Sequence, residues 1–141
     1  MRLVRVLIAD DQRDVGTSLA ELVGYCNHEV AGVVGSGLEA IQTYSQLCPD
    51  VVLMDYWMPK LNGATACRNI LAKDPTARVI LVSAGLPSED VTQSGAMAIL
   101  PKPVDLSHLE LILAALAGLV IAHEPASTST ALKLESEESR A

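Results

Sequence analysis

Phenylalanine is absent, and aromatic residues make up only 3% of the 141 positions. Half of the chain is hydrophobic, so a sizeable core can still form, but Val, Leu, Ile, Ala and Met must build it. Basic residues are scarce too: ten Lys and Arg stand against seventeen Asp and Glu, for a net charge of −7. Nucleic-acid backbones are gripped by clustered positive charge. No such cluster is present, so direct nucleic-acid binding by this chain is not expected. The three cysteines, Cys26, Cys48 and Cys67, are odd in number, widely spaced and without a C-x-x-C pair. That argues against disulfides and zinc and for buried, reduced thiols. Long hydrophobic runs are also missing. The most apolar stretch, 106–122, contains His108 and Glu110 and is short for a membrane span, so it reads as a core helix. Met1 to Ala9 is too brief an apolar run for a secretory leader before Asp10 and Asp11 interrupt it. A cytoplasmic protein with no membrane contact is the expectation.

What the chain does have is alternation. Leu3 to Ala9 is β-rich and stops at the acidic pair Asp10-Asp11. Val15, Leu19, Leu22 and Val23 then recur at helical spacing. Glu29 to Val34 predicts a second strand, followed by a helix marked by Ala40, Ile41, Tyr44 and Leu47. Val51 to Met54 is a continuous apolar strand, and Asn62-Gly63 opens a helix carrying Cys67, Ile70 and Leu71. Val79 to Val82, a short helix between Ser88 and Ser94, and Ala98 to Leu100 follow, with Asp105 as N-cap of the last helix. Five βα units with fully apolar strands predict an α/β fold, a doubly wound five-stranded parallel sheet with helices on both faces. Residues 1–122 form the expected domain. Residues 123–141, acidic and rich in Ser and Thr with few large apolar side chains, predict a disordered tail.

In such a sheet, sites form at the carboxyl ends of the strands. Asp10 and Asp11 follow the first strand, Asp55 the third, Ser83 the fourth and Lys102 the fifth. Singly, these are ordinary: Asp caps helices, Ser turns chains and Lys covers surfaces. Asp55 is harder to set aside, because it closes the apolar run Val51-Val52-Leu53-Met54. Three crowded carboxylates raise one another's pKa unless a cation neutralises them, and such oxygen clusters suit magnesium. A lysine and a hydroxyl beside them would contact a phosphoryl group. Together these are the components of phosphoryl transfer to an aspartate.

Four segments carry a closer likeness: VLIADDQ, VVLMDYWMPKLNG, VILVSAG and ILPKPVD, in order and at the right strand ends. With them the sequence resembles a response-regulator receiver domain of flavodoxin-like fold, over about residues 3–122. The resemblance implies that Asp11, Asp55 and the backbone carbonyl of Trp57 bind Mg2+ directly, with Asp10 acting through water. It implies that Asp55 takes a phosphoryl group from a sensor histidine kinase or phosphotransfer protein, that Lys102 bridges to it, and that Ser83 moves to hydrogen-bond it. It also implies a cis Lys102–Pro103 bond and no enzymatic turnover beyond self-catalysed phosphorylation and dephosphorylation.

Two departures bear on output. Ile99 stands where the family carries a switching Tyr or Phe, and the segment from Ser83 to Lys102 is about one helical turn short. On the last helix, Leu109, Ile112, Leu113, Leu116 and Val120 share the inward face, while Leu111 lies opposite and Leu119 near the edge. That leaves a fifth-helix surface for a homodimer or target. Alternatives to a stand-alone switch are the receiver part of a larger transcriptional or enzymatic regulator, and a degenerate receiver serving only as an interaction module. A flavin protein is disfavoured, since two aspartates after the first strand would repel its phosphate.

Overall fold

The computed structural model describes residues 3–122. The expected tail, residues 123–141, lies outside the described residues, as does the side chain of Val120. Five strands, β1 (Arg5–Ala9), β2 (Glu29–Val34), β3 (Val51–Asp55), β4 (Val79–Ser83) and β5 (Ala98–Pro101), form one parallel sheet in the order β2-β1-β3-β4-β5. Helices α1 (Arg13–Tyr25), α2 (Gly37–Leu47), α3 (Gly63–Lys73), α4 (Glu89–Thr92) and α5 (Leu106–Ala122) connect and follow them. The doubly wound α/β fold is therefore as the alternation implies. No described helix is long and apolar enough to cross a membrane.

Alternate strand residues feed opposite faces, as the pleat requires. Val6, Ile8, Leu53, Ile80, Val82 and Leu100 pack with Leu19 and Val23 of α1 and Leu109, Leu113 and Leu116 of α5. Leu7, Val52, Met54 and Leu81 pack on the other side with Ala40 of α2, Cys67 and Ile70 of α3, and Val91 of α4. β3 and β4, central and covered on both faces, are buried at every position, whereas the edge strand β2 is half exposed. Caps match the residue types: Ser36, Asn62 and Ser88 accept backbone N–H groups at the starts of α2, α3 and α4, and Asp105 accepts from His108 N at 2.9 Å at the start of α5. On α5, Ile112 is half-buried, and Leu111 is 71% and Leu119 43% exposed.

One expectation is corrected. Cys26 and Cys67 are buried thiols, but Cys48 is exposed. It caps the C-terminus of α2 in the left-handed conformation, φ 48°, and a residue in that turn points off the helix end rather than into the core.

Candidate functional site

The sheet order reverses between β1 and β3, and a crevice opens beyond the strand ends at such a switch point. The register pairs Ala9 with Met54, so the next residues, Asp10 and Asp55, emerge side by side. One ligand oxygen from each of Asp10, Asp11 and Asp55 lies within 4.8 Å of the others. Asp10 and Asp55 are each 3% exposed, while Asp11 is exposed. Asp10 is not a helix cap: Gln12 holds the N-cap position of α1, and Asp10 Oδ1 accepts from the Gln12 N–H at 2.9 Å.

Lys102 reaches in from the end of β5. Its Nζ is 2.8 Å from Asp55 Oδ1 and 3.5 Å from Asp10 Oδ2, so it is not a surface charge. Its backbone is fixed by a hydrogen bond from Lys102 N to Ser83 O of 3.1 Å, and the Lys102–Pro103 bond is cis. Ser83 itself is 4% exposed, and its hydroxyl donates a long 3.5 Å contact to Ala84 O. No described hydrogen bond joins the Ser83 hydroxyl to Asp55 or to the Lys102 ammonium. Trp57 stands at the rim, 67% exposed. With Asp11, Gln12, Asp55, Ala84 and Lys102 it lines a pocket of about 320 Å³. Ile99 is half-buried and packs in the layer that contains Tyr56 and Val91, away from the carboxylates.

Burial pushes the Asp55 carboxyl above its ordinary range. The hydrogen bond from Lys102 opposes that rise, and the charges of Asp10 and Asp11 add to it. For Lys102, burial acts to lower the ammonium, but its bonds to Asp55 and then Asp10 hold it above the usual lysine value. Three carboxylates against one ammonium leave a net negative, oxygen-lined crevice, which fits a small hard divalent cation such as magnesium. A single lysine cannot neutralise it, and Asp55 shows the residual cost.

Two further residues, Gly63 and Tyr56, brace the acceptor strand. Gly63 donates to Tyr56 O at 2.8 Å, and a Cβ on Gly63 would run into the Asp55 carbonyl oxygen. Tyr56 turns its ring away from the crevice and bonds Asp90 on α4. An Asn-Gly pair signals a turn or helix start, but neither contact has a sequence signature of its own.

The family model described as Response regulator receiver domain matches residues 6–114. The chain is 41% identical over 80 residues to the chemotaxis protein CheY of Thermotoga maritima, covering 57% of this chain and 67% of that one. It is 36% identical over 107 residues to the transcriptional regulatory protein PdtaR of Mycobacterium tuberculosis, covering 74% and 52%. Among solved structures, a chain of the CheX–CheY–BeF3–Mg2+ complex from Borrelia burgdorferi superposes with TM-score 0.72 at 29% identity, covering 79% and 88%. A LuxR-family response regulator from Aurantimonas gives 0.76 at 27%, covering 83% and 87%.

Proposed function

The chain belongs to the response regulator receiver domain family, and we propose that it is a magnesium-dependent phosphorylation switch with Asp55 as acceptor. The observation that carries this reading is the buried Asp55 carboxylate, beside Asp10 and Asp11 and 2.8 Å from the Lys102 ammonium. The donor is a phosphohistidine of a sensor histidine kinase or phosphotransfer protein. An Asp55 carboxylate oxygen attacks phosphorus, the O–P bond forms as the P–N bond breaks, and the imidazole leaves with the electron pair. Asp10, Asp11 and Asp55, with the Trp57 carbonyl, would hold the magnesium ion, Asp10 through water. When bound, the ion neutralises charge on the acceptor and the phosphoryl oxygens. Lys102 exchanges its contact with Asp55 for one to a phosphoryl oxygen. The Ser83 hydroxyl, whose one described hydrogen bond is the long contact to Ala84 O, rotates to donate to another.

Loading of Asp55 then biases a pre-existing equilibrium between two arrangements of the surface. The exposed Leu111 and Leu119 support α5 as a face for a homodimer or a target. A second reading, a receiver joined to an output domain in a longer protein, is favoured by the match to PdtaR, which covers 52% of that regulator. Either way the site chemistry is the same, the setting is cytoplasmic, and phosphoryl transfer serves signalling rather than turnover.

The test is intact-mass measurement after incubation with acetyl phosphate and magnesium. Wild type should gain one phosphoryl mass and Asp55→Asn none. Equal labelling of both rejects Asp55 as acceptor.

A further inference from the structure

Asp55 and Tyr56 are consecutive residues leaving one strand, so their side chains go to opposite faces. Asp55 enters the crevice, and Tyr56, 8% exposed, enters the layer that includes Met54, Met58 and Val91. The Tyr56 backbone is held at both ends: its N–H donates to Val82 O at 2.9 Å, and its carbonyl accepts from Gly63 N at 2.8 Å and Met58 N at 3.1 Å. A buried phenol needs a polar partner, and Tyr56 Oη donates to Asp90 Oδ2 at 2.9 Å. Two more side chains converge on Asp90. Arg68 of α3 donates to Asp90 Oδ1 at 2.5 Å and to its backbone carbonyl at 3.0 Å. Asn62, the N-cap of α3, donates to Oδ2 at 3.4 Å. The bond to Asp90 raises the Tyr56 hydroxyl above its ordinary range, while Arg68 and then Tyr56 hold the Asp90 carboxyl below its own.

Asp90 lies in α4, a single turn of four residues with Val91 as its buried anchor. One turn does not sustain itself, because nucleation fixes several residues for little hydrogen bonding. Its position depends on what grips it from outside. We propose that Tyr56 is a positioning residue which, through Asp90, ties α4 to the strand that ends in Asp55, so that loading of Asp55 is transmitted to α4. The inference rests on Asp55 being the acceptor. Its geometry is short: one peptide bond joins the acceptor to the tyrosine, and one hydrogen bond joins the tyrosine to the helix. Any rearrangement of the Tyr56 backbone is delivered to Asp90 Oδ2. In the same layer Ile99 offers only an aliphatic contact.

Hydrogen exchange read by mass spectrometry over residues 86–95 tests the tie, with and without magnesium and beryllofluoride, alongside intact-mass labelling of Asp55. Wild type should show a beryllofluoride-dependent change in this segment. In Tyr56→Phe, which keeps the ring and its packing, the unloaded segment should exchange about fivefold faster, as expected on losing one hydrogen bond. Its beryllofluoride response should vanish while Asp55 still labels. Asp90→Ala, which removes the acceptor, should behave alike, and Tyr44→Phe, whose hydroxyl bonds Asp74 instead, should leave the response intact. If Tyr56→Phe exchanges faster but responds to beryllofluoride as wild type does, Tyr56 is merely structural and the inference fails. A wild type that loads without any change in 86–95 also overturns it. A wild type that neither labels nor responds overturns the acceptor reading and this inference with it.

Discussion

Lys102 Nζ stands 2.8 Å from Asp55 Oδ1, although Lys102 follows β5 and Asp55 ends β3, with β4 between them. The reach is possible because the parallel strands all release their chains at the same edge, and the lysine side chain spans the intervening strand. The ammonium is thus paired with a carboxylate, and in the proposed reaction a phosphoryl oxygen would take that partner's place.

Lys102→Ala should therefore still fold but label slowly. Removing one preorganised charged donor typically costs about 10²-fold or more in rate, and a loss of that order in labelling by acetyl phosphate is the expected result. Lys102→Arg should restore only part of the rate, because a planar guanidinium does not replace a point charge. Labelling of Lys102→Ala at the wild-type rate would remove the lysine from the mechanism.

Asp55 contributes to stability in the direction opposite to most carboxylates. Its folded pKa lies above the ordinary 3.8, chiefly through burial. The contribution of Asp55 is thus fully present below pH 3.8 and is lost as pH rises through the raised folded value. At neutral pH without metal the carboxylate is a net cost. Asp55→Asn should raise the thermal midpoint in EDTA. Magnesium should stabilise wild type, by about 2.7 kcal/mol at a hundred times its dissociation constant, and stabilise the variant much less. A thermal-shift series over magnesium concentration measures both. A variant that melts below wild type in EDTA would contradict the assignment of strain to Asp55.

Backbone periodicity and the acidic strand ends are local, which is why the sheet, its helices and the positions of Asp10, Asp11, Asp55, Ser83 and Lys102 were legible in the sequence. Val51 to Met54 announces a strand covered on both faces, and Asn62 and Asp105 announce helix starts, because each depends on near neighbours. The Tyr56–Asp90 bond spans 34 positions and follows from the face that Tyr56 takes after a register fixed by β1 and β4. Cys48 went astray for a related reason: its residue type is most often buried, but its turn at the end of α2 places it outside. Where the Ser83 hydroxyl points is a rotamer property, and no residue pattern encodes it.

Gly63→Ala tests the close approach between α3 and the acceptor strand. A Cβ there would meet the Asp55 carbonyl oxygen, which is backbone and cannot swing aside. Overpacking of this kind costs about 1–3 kcal/mol, measurable as a lowered midpoint in urea unfolding. Because the displaced atom belongs to Asp55, labelling should slow as well. Gly24→Ala, in α1 with nothing within 4 Å of its would-be Cβ, should be neutral or slightly stabilising.

His28, 9% exposed, accepts the Val4 N–H on Nδ1 at 3.0 Å. That bond joins the start of the sheet to the turn after α1, and it requires a neutral Nδ1. Burial holds the folded pKa below the ordinary 6.5, so the unfolded chain binds a proton first as pH falls. The stabilisation is complete above pH 6.5 and is lost progressively as pH drops from there through the lower folded value. Asp74 and Asp90 also have depressed values, but their losses begin only near and below the ordinary carboxylate value of 3.8. Asp55 titrates in the opposite sense but is common to wild type and a His28 variant. Across the interval between pH 6.5 and 5, the difference between their curves therefore isolates the histidine. Urea midpoints taken across that interval should fall for wild type relative to the variant. In His28→Asn, whose amide oxygen offers Val4 an acceptor that does not titrate, the curve should be flatter even if its plateau is lower. A slope equal to that of wild type would show that protonation at this site does not govern stability in that range.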